Sequence, residues 1–302
     1  MSGRSFQRRD DLFLIGTLIR RAYAQAPYWN AWSFARFDIW AQRRIADEGV
    51  HGLQGWHQDI RLWETEQGRL AGAVLFESDG DAVLILDPDC PEMLEAMLVW
   101  AEARYVQKGT TGKPLRIEAM EGNAFLGQLL RSRNYARGSG YCIHREKPLD
   151  NGGVEPVTLP EGFLVKPLET LEEMQRFHLA VKAVFSFEDS VEVYRIVQRA
   201  PSYVPGLDLL LLSDGGEVAA FCTAWLDRES GVAELEPVGT VPAYRKRGLG
   251  RALLAEASNR LRLLGCRTLT VNSWSESLGA NRLYEAAGLR ARARIDNWQR
   301  AF

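Results

Sequence analysis

The sequence predicts a mixed α/β protein, α/β or α+β in type, built from two similar halves in tandem. Three observations carry that expectation. Apolar runs of strand length are interspersed with runs of helical period throughout the chain. Residues 145–163, "REKPLDNGGVEPVTLPEGF", replace any period with prolines, glycines and acidic side chains, as a linker does. A single shift of 154 positions sets Pro88 on Pro242, Asn123 on Ser277 and Tyr135 on Leu289, aligning separate segments. A chain of 302 residues is also long for one core. The expected domains are therefore 1–150 and 160–302.

In the first half, "RLWETEQG", "RLAGAVLFES" and "DAVLILDPD" read as three strands. "PEMLEAMLVWAEARYVQ" follows as a helix, "PLRIEAME" as a strand and "NAFLGQLLRSRNYARG" as helix and turn. Aromatic residues are dense before and within this stretch, with Tyr23, Trp29, Trp32, Trp40, Trp56 and Trp63. Such a stripe reads as core or domain interface, with a substrate wall as the other reading. The second half repeats the order. "FLVKPL" is a strand, "LEEMQRFHLAVKAVF" and "SVEVYRIVQRA" are helices, and "LDLLLLSD" and "EVAAFCTAWLD" are strands joined at Asp214, Gly215 and Gly216 by a hairpin turn. "VAELEPVGTV" is a third strand. From Gly248 the pattern turns helical, with Leu249, Leu253, Ala257, Leu261 and Leu264 on one face and Gly265 as the stop. A strand "TLTVNSW", a helix "SLGANRLYEAAG" and a strand pair in "LRARARIDNWQRAF" complete the half.

Composition narrows the function. Charged residues make up 25% and apolar residues 46% of the chain, and the net charge of -2 speaks against a nucleic-acid surface. The cysteines Cys90, Cys142, Cys222 and Cys266 have no metal or disulfide spacing, and the four histidines never fall beside them. No metal is expected. No apolar run reaches the length of a membrane span and no signal segment is visible, so the expected location is cytoplasmic.

The chemistry concentrates in "VPAYRKRGLGRALL", residues 241–254. A strand runs into a turn with Gly248 and Gly250, and the turn opens a helix whose first N–H groups have no internal partner. Arg245, Lys246, Arg247 and Arg251 add positive charge around the same spot. A pyrophosphate fits such a cradle, whereas the Walker pattern is absent and Leu253 stands where a dinucleotide loop needs its third small residue. A solvated basic helix start that binds nothing is the alternative on these residues alone.

Together with "NRLYEAAGL" further on, the strand, "RKRGLG" and helix resemble the GNAT superfamily of acyl-CoA-dependent N-acyltransferases. The matching residues are Arg245, Gly248 and Gly250, then Leu283, Tyr284, Glu285, Gly288 and Leu289. The resemblance implies two GNAT-like domains, each a mostly antiparallel central sheet flanked by helices, with acetyl-CoA as co-substrate. It implies that the loop from Arg245 to Arg251, including Leu249, holds the coenzyme A pyrophosphate. Val238 would offer its N–H to the thioester oxygen, Thr240 would pair with the pantetheine arm, Asn281 would touch the cofactor, and Tyr284 would serve the leaving thiolate. A tyrosine merely packed at the helix interface is the other reading of Tyr284. Pro237 supports the strand assignments, because it cannot donate to a ladder and marks where a strand can part from its neighbour.

Glu234 and Glu236 stand two apart on one strand and so share a face. They read as a general base, as an electrostatic lure for a cationic amine, or as a solvent-facing strand side. Ser277 reads as a helix N-cap. The expected reaction is transfer of an acetyl or short acyl group to a primary amine on a small molecule or peptide, by direct attack. An acyl-CoA sensor or structural module without turnover is the alternative.

The first half lacks this equipment. The shift sets Arg245 to Gly250 against residues 91–96, "PEMLEA", with Glu92 and Glu95 where anion donors are needed, and sets Tyr284 on Leu130 and Glu234 and Glu236 on Gly80 and Ala82. It is expected to shape the acceptor pocket without binding cofactor. The chain is expected as a monomer, its halves forming an internal pseudo-dimer, or as a homodimer.

Overall fold

The computed structural model describes every residue except 1–2, 53–54, 110–111, 150–152, 155 and 187–189, so part of the expected linker lies outside the described residues. Among the described residues, twelve strands form one sheet. The first half supplies β1 (Arg4–Ser5), β2 (Ile60–Glu64), β3 (Leu70–Ser78), β4 (Asp81–Leu86), β5 (Leu115–Met120) and β6 (Ala136–Pro148). The second supplies β7 (Phe163–Pro167), β8 (Asp208–Ser213), β9 (Val218–Asp227), β10 (Val232–Thr240), β11 (Thr268–Trp274) and β12 (Arg290–Arg300).

The order across the sheet is β1-β2-β3-β4-β5-β12-β6-β11-β10-β9-β8-β7. All neighbours are antiparallel except β4 with β5 and β10 with β11. The halves therefore exchange strands, because β12 lies between β5 and β6 while β6 lies between β12 and β11. This corrects two expectations. The 289–302 stretch holds one long strand and no pair, since its neighbours β5 and β6 come from the other half. Residues 145–148, assigned to a linker, are the end of β6, where His144 and Arg145 are buried.

Helices α1 (Asp10–Gln25) and α2 (Phe34–His51) precede β2 and carry Tyr23 and Trp40 of the aromatic stretch. Ser33 starts α2 by accepting the Arg36 N–H, and Gly52 ends it at φ +65°. These helices share one core with α5 (Leu171–Phe185) and α6 (Val191–Val197), so a single apolar layer with Trp32, Trp40 and Trp56 spans one face of both halves. On the other face, α3 (Leu94–Gln107) and α4 (Ala124–Ser132) cover the first half, and α7 (Leu249–Leu263) and α8 (Leu278–Ala286) cover the second. In α7, Leu249, Leu253, Ala257 and Leu261 are buried as the period predicts, each leucine contributing about 1.5–3 kcal/mol. Leu264 is the exception, 40% exposed because the helix has ended and the chain turns away through Gly265 at φ +75°. No described helix is long and apolar enough to cross a membrane. No group of metal-ligating side chains occurs among the described residues.

Candidate active site

The site begins where β10 and β11 part. Their parallel pairing covers Val232–Glu234 against Thr268–Thr270 and stops there. The register of β10 on β9 shifts between Leu235 and Val238, around Pro237, and the indole of Trp225 donates to the Glu236 carbonyl freed by that irregularity. Beyond Glu234 the β11 side of β10 is open, with Val238 and Thr240 half-buried along it.

The chain then enters a short 3-10 turn (Pro242–Tyr244) and reaches α7 through Lys246 at φ +63° and Gly248 at φ +80°. Glycine suits that left-handed position because it has no side chain to clash. The N–H groups of Arg251 and Ala252 return to Gly248 O at 3.1 Å, so the amides of Leu249 and Gly250 head the helix without intrahelical acceptors. Leu249 is buried, and only its backbone faces the loop. Lys246, Arg247 and Arg251 are exposed, with Arg247 over the Tyr244 ring at 5.6 Å. Arg245 donates from Nε to Thr240 O at 3.1 Å, which pins the loop to the end of β10. A Cβ on Gly250 would meet Leu283 of α8 at 3.1 Å. That glycine thus serves helix packing as well as any ligand, and a substitution there tests both together.

A cavity of about 460 Å³ opens beside the parted strands. Glu236, Pro237 and Val238 form one wall, and Ser277, Ala280 and Tyr284 of α8 another. Tyr284 is buried, its hydroxyl has no hydrogen-bond partner among the described residues, and burial with Cys222 and Glu236 nearby holds its pKa above the usual phenol value. Ser277 takes the N-cap position of α8 without the expected side-chain cap bond. Asn281 differs from its expected role. Its carboxamide donates to Trp274 O and Ser275 O, both at 3.1 Å, and accepts from Ser273 Oγ at 2.9 Å. Buried and fully engaged, it ties α8 to the end of β11 and has no free donor for a cofactor.

The first half completes the cavity. Arg36 at the start of α2 pairs with Glu77 and Glu118, each at 2.7 Å, and all three line it. Burial raises the Glu118 carboxyl, while Arg36 pulls it back. Arg145 of β6 donates to Ser273 Oγ at 2.7 Å and reaches Glu285 at 3.4 Å, so this half also braces the helix carrying Tyr284. These residues were not legible as site residues, because only the exchanged strand and the α2 packing bring them here. The five tryptophans of the aromatic stretch, from Trp29 to Trp63, stay outside the lining; Trp225 and Trp274 belong to it.

The two glutamates have different settings. Glu236 is exposed to the cavity, its carboxyl raised by the surrounding protein and lowered by Arg36 and Arg43. Glu234 is 2% exposed, receives a hydrogen bond from Asn272 Nδ2 at 3.2 Å, and lies near Ser33 and His144. Burial, with Glu236 beside it, pushes its carboxyl up to about 7.

A parallel pair that opens beside a glycine-headed helix, within a mostly antiparallel sheet flanked by helices, defines the GNAT class of fold. Residues 172–289 match the acetyltransferase (GNAT) family, and this part of the chain is a GNAT domain. The whole chain is similar to a GCN5-related N-acetyltransferase from Sphaerobacter thermophilus, with 19% identity and a TM-score of 0.68 over 99% of this chain and 95% of that one. It is similar to a tandem GNAT protein from the clavulanic acid biosynthesis pathway, with 14% identity and a TM-score of 0.64 over 99% and 98%. A GNAT-family acetyltransferase from Colwellia psychrerythraea has 13% identity and a TM-score of 0.62, covering 100% of both chains. At these identities the likeness is one of fold. Among curated proteins, none matches the sequence.

Proposed function

We propose that this protein transfers an acetyl or short acyl group from coenzyme A to a primary amine by direct attack. One observation carries the reading: a single cavity joins the open β10 edge, the Tyr284 hydroxyl and Glu236, with the raised Glu234 carboxyl adjoining through Asn272. The open edge fits the pantetheine arm, and the free amides and exposed cations at the head of α7 fit the pyrophosphate.

An alkylammonium near pKa 10.4 must lose its proton before attack. Against an ordinary glutamate that transfer is uphill by about 6 units, or about 8 kcal/mol; against a carboxyl near 7 it is about 3.4 units, or about 5 kcal/mol. The neutral nitrogen bonds to the thioester carbon, the oxyanion meets the Val238 N–H, the C–S bond breaks, and the proton shed by the bonded nitrogen goes to the departing thiolate, which leaves as the thiol. Tyr284, kept protonated by its raised pKa, donates a hydrogen bond to the leaving thiolate. Glu77, Glu118 and Glu236 outnumber Arg36 and Arg43 around a cavity that also presents Phe177, Tyr194 and Trp274. This balance suits a cationic amine with an apolar body better than a polycation.

Thiol release from acetyl-CoA over a panel of amines tests the proposal. Acceptor-dependent thiol, with an acidic limb in kcat/KM near pH 7 that disappears in Glu234→Gln, is the expected result. Saturable acetyl-CoA binding with no acceptor-dependent thiol would establish the binding module instead.

A further inference from the structure

We propose that His144, a residue of the first half, is a positioning residue for the Glu234 carboxylate, acting through Asn272. The proposal rests on Glu234 as the proton acceptor. The contacts form one chain. His144 Nδ1 lies 2.9 Å from Asn272 Oδ1, and Asn272 Nδ2 lies 3.2 Å from Glu234 Oε1. On the other side, His144 Nε2 lies 3.2 Å from Glu146 Oε1, and Glu146 Oε2 accepts from the Tyr28 hydroxyl at 3.1 Å.

Donor and acceptor chemistry gives this chain a direction. An amide oxygen only accepts, so Nδ1 donates to it; a carboxylate only accepts, so Nε2 donates too, and these contacts favour the imidazolium, raising the ring's pKa against the burial that lowers it. With its oxygen held by His144, Asn272 must turn its NH2 toward Glu234. The reversed amide would set NH2 against N–H and oxygen against carboxylate, two repulsions in a site where His144 is 4% and Glu234 2% exposed. Water cannot repair that mismatch. Ser33, which accepts the Arg36 N–H at the start of α2, stands near the same carboxylate and, like His144, lowers its pKa.

The charged and titratable groups around Glu234 are Glu236 on its own strand, His144 and Glu146 on β6, Tyr23 on α1, Tyr28 before α2 and Arg36 on α2. Arg292 of β12 stands 3.9 Å from Glu146. The imidazolium lowers the Glu234 carboxyl against the burial that raises it. Loss of that cation must therefore leave Glu234 protonated to higher pH.

The experiment compares kcat/KM against pH, and the Glu234 carboxyl 13C titration, in the full chain and its variants. His144→Gln keeps an N–H for Asn272 and removes the charge. Its acidic limb and its 13C midpoint should both move up by about 0.5–1 pH unit, with the alkaline plateau nearly retained. His144→Leu also frees the amide to turn, and its plateau kcat should fall about tenfold or more with KM for acetyl-CoA unchanged. A protein that turns over, loses turnover in Glu234→Gln, and shows the wild-type limb and midpoint in His144→Gln overturns the positioning role alone. Should no amine be acylated, the functional reading fails by itself, while the 13C midpoint still decides for or against the His144 contact.

Discussion

Each half of the molecule contains a parallel strand pair that parts after a short contact, β4 with β5 and β10 with β11, yet only the second is open. In the first half the Asn30 carboxamide lies along the free edge of β4, donating to Leu86 O and accepting from Leu86 N, both at 3.0 Å. By the 154-residue shift Leu86 stands where Thr240 stands in the second half; there Arg245 holds only the carbonyl, whereas the Asn30 carboxamide takes both the N–H and the C=O of Leu86, in the place proposed for the pantetheine arm. The helix starts differ as well. Gly248 is left-handed at φ +80°, whereas Leu94, its counterpart, is helical at φ −55°, and the chain runs from a 3-10 turn into α3 without exposing a cradle. Glu92 and Glu95 lie there in place of cations. One frame serves both halves, and the site depends on a vacant strand edge, one glycine and the sign of a few charges.

The largest effect that sharpens this contrast is expected at Glu234, the buried carboxylate that the first half lacks. Glu234→Gln should lower kcat by about 10²–10⁴. The same change should stabilise the fold. A carboxyl near 7 when folded and 4.5 when unfolded binds more protons in the native state between those values, so stability falls as pH rises through that window, by about 3 kcal/mol in all. Thermal unfolding at pH 8 should show the glutamine variant ahead by about 1–2 kcal/mol, and no gain below pH 4.

Next in size is the charge at α7. Arg247→Glu with Arg251→Glu should weaken acetyl-CoA binding about ten- to hundredfold by calorimetry, while Glu92→Lys with Glu95→Lys in the other half leaves it unchanged. One site per chain is expected; a stoichiometry of two would break the comparison. The smallest effect concerns the occupied edge. Asn30→Ala leaves the Leu86 N–H and C=O unsatisfied and should cost about 2 kcal/mol in urea unfolding, without creating a second acetyl-CoA site.

Much of the frame was legible because it is local. Gly248 and Gly265 bracket α7, the Asp214 to Gly216 turn joins β8 to β9, and Pro237 marks the irregularity in β10. The strand exchange was not, since the pairing of Ile295 with Met120 or of Val271 with Arg145 joins positions far apart in sequence. His144 and Glu146 were missed for a related reason. They sit at the end of a strand that merges into a Pro- and Gly-rich stretch, and nothing local says that Asn272 lies opposite. Asn281 erred the other way, because its place beside Tyr284 in the helix says nothing of the three partners that occupy it.

The exchange of β6 and β12 also sets the order in which the molecule can be made. During synthesis β5 emerges long before its neighbour β12, so the inner edge of the first half stays uncovered until residues 290–300 leave the ribosome. A stop codon before Arg290 would remove a strand from the interior of the sheet, stripping β5 and β6 of the same partner. Nascent chains cut short in this way should expose two unpaired strand edges and go to aggregation or proteolysis, however well their first half is encoded.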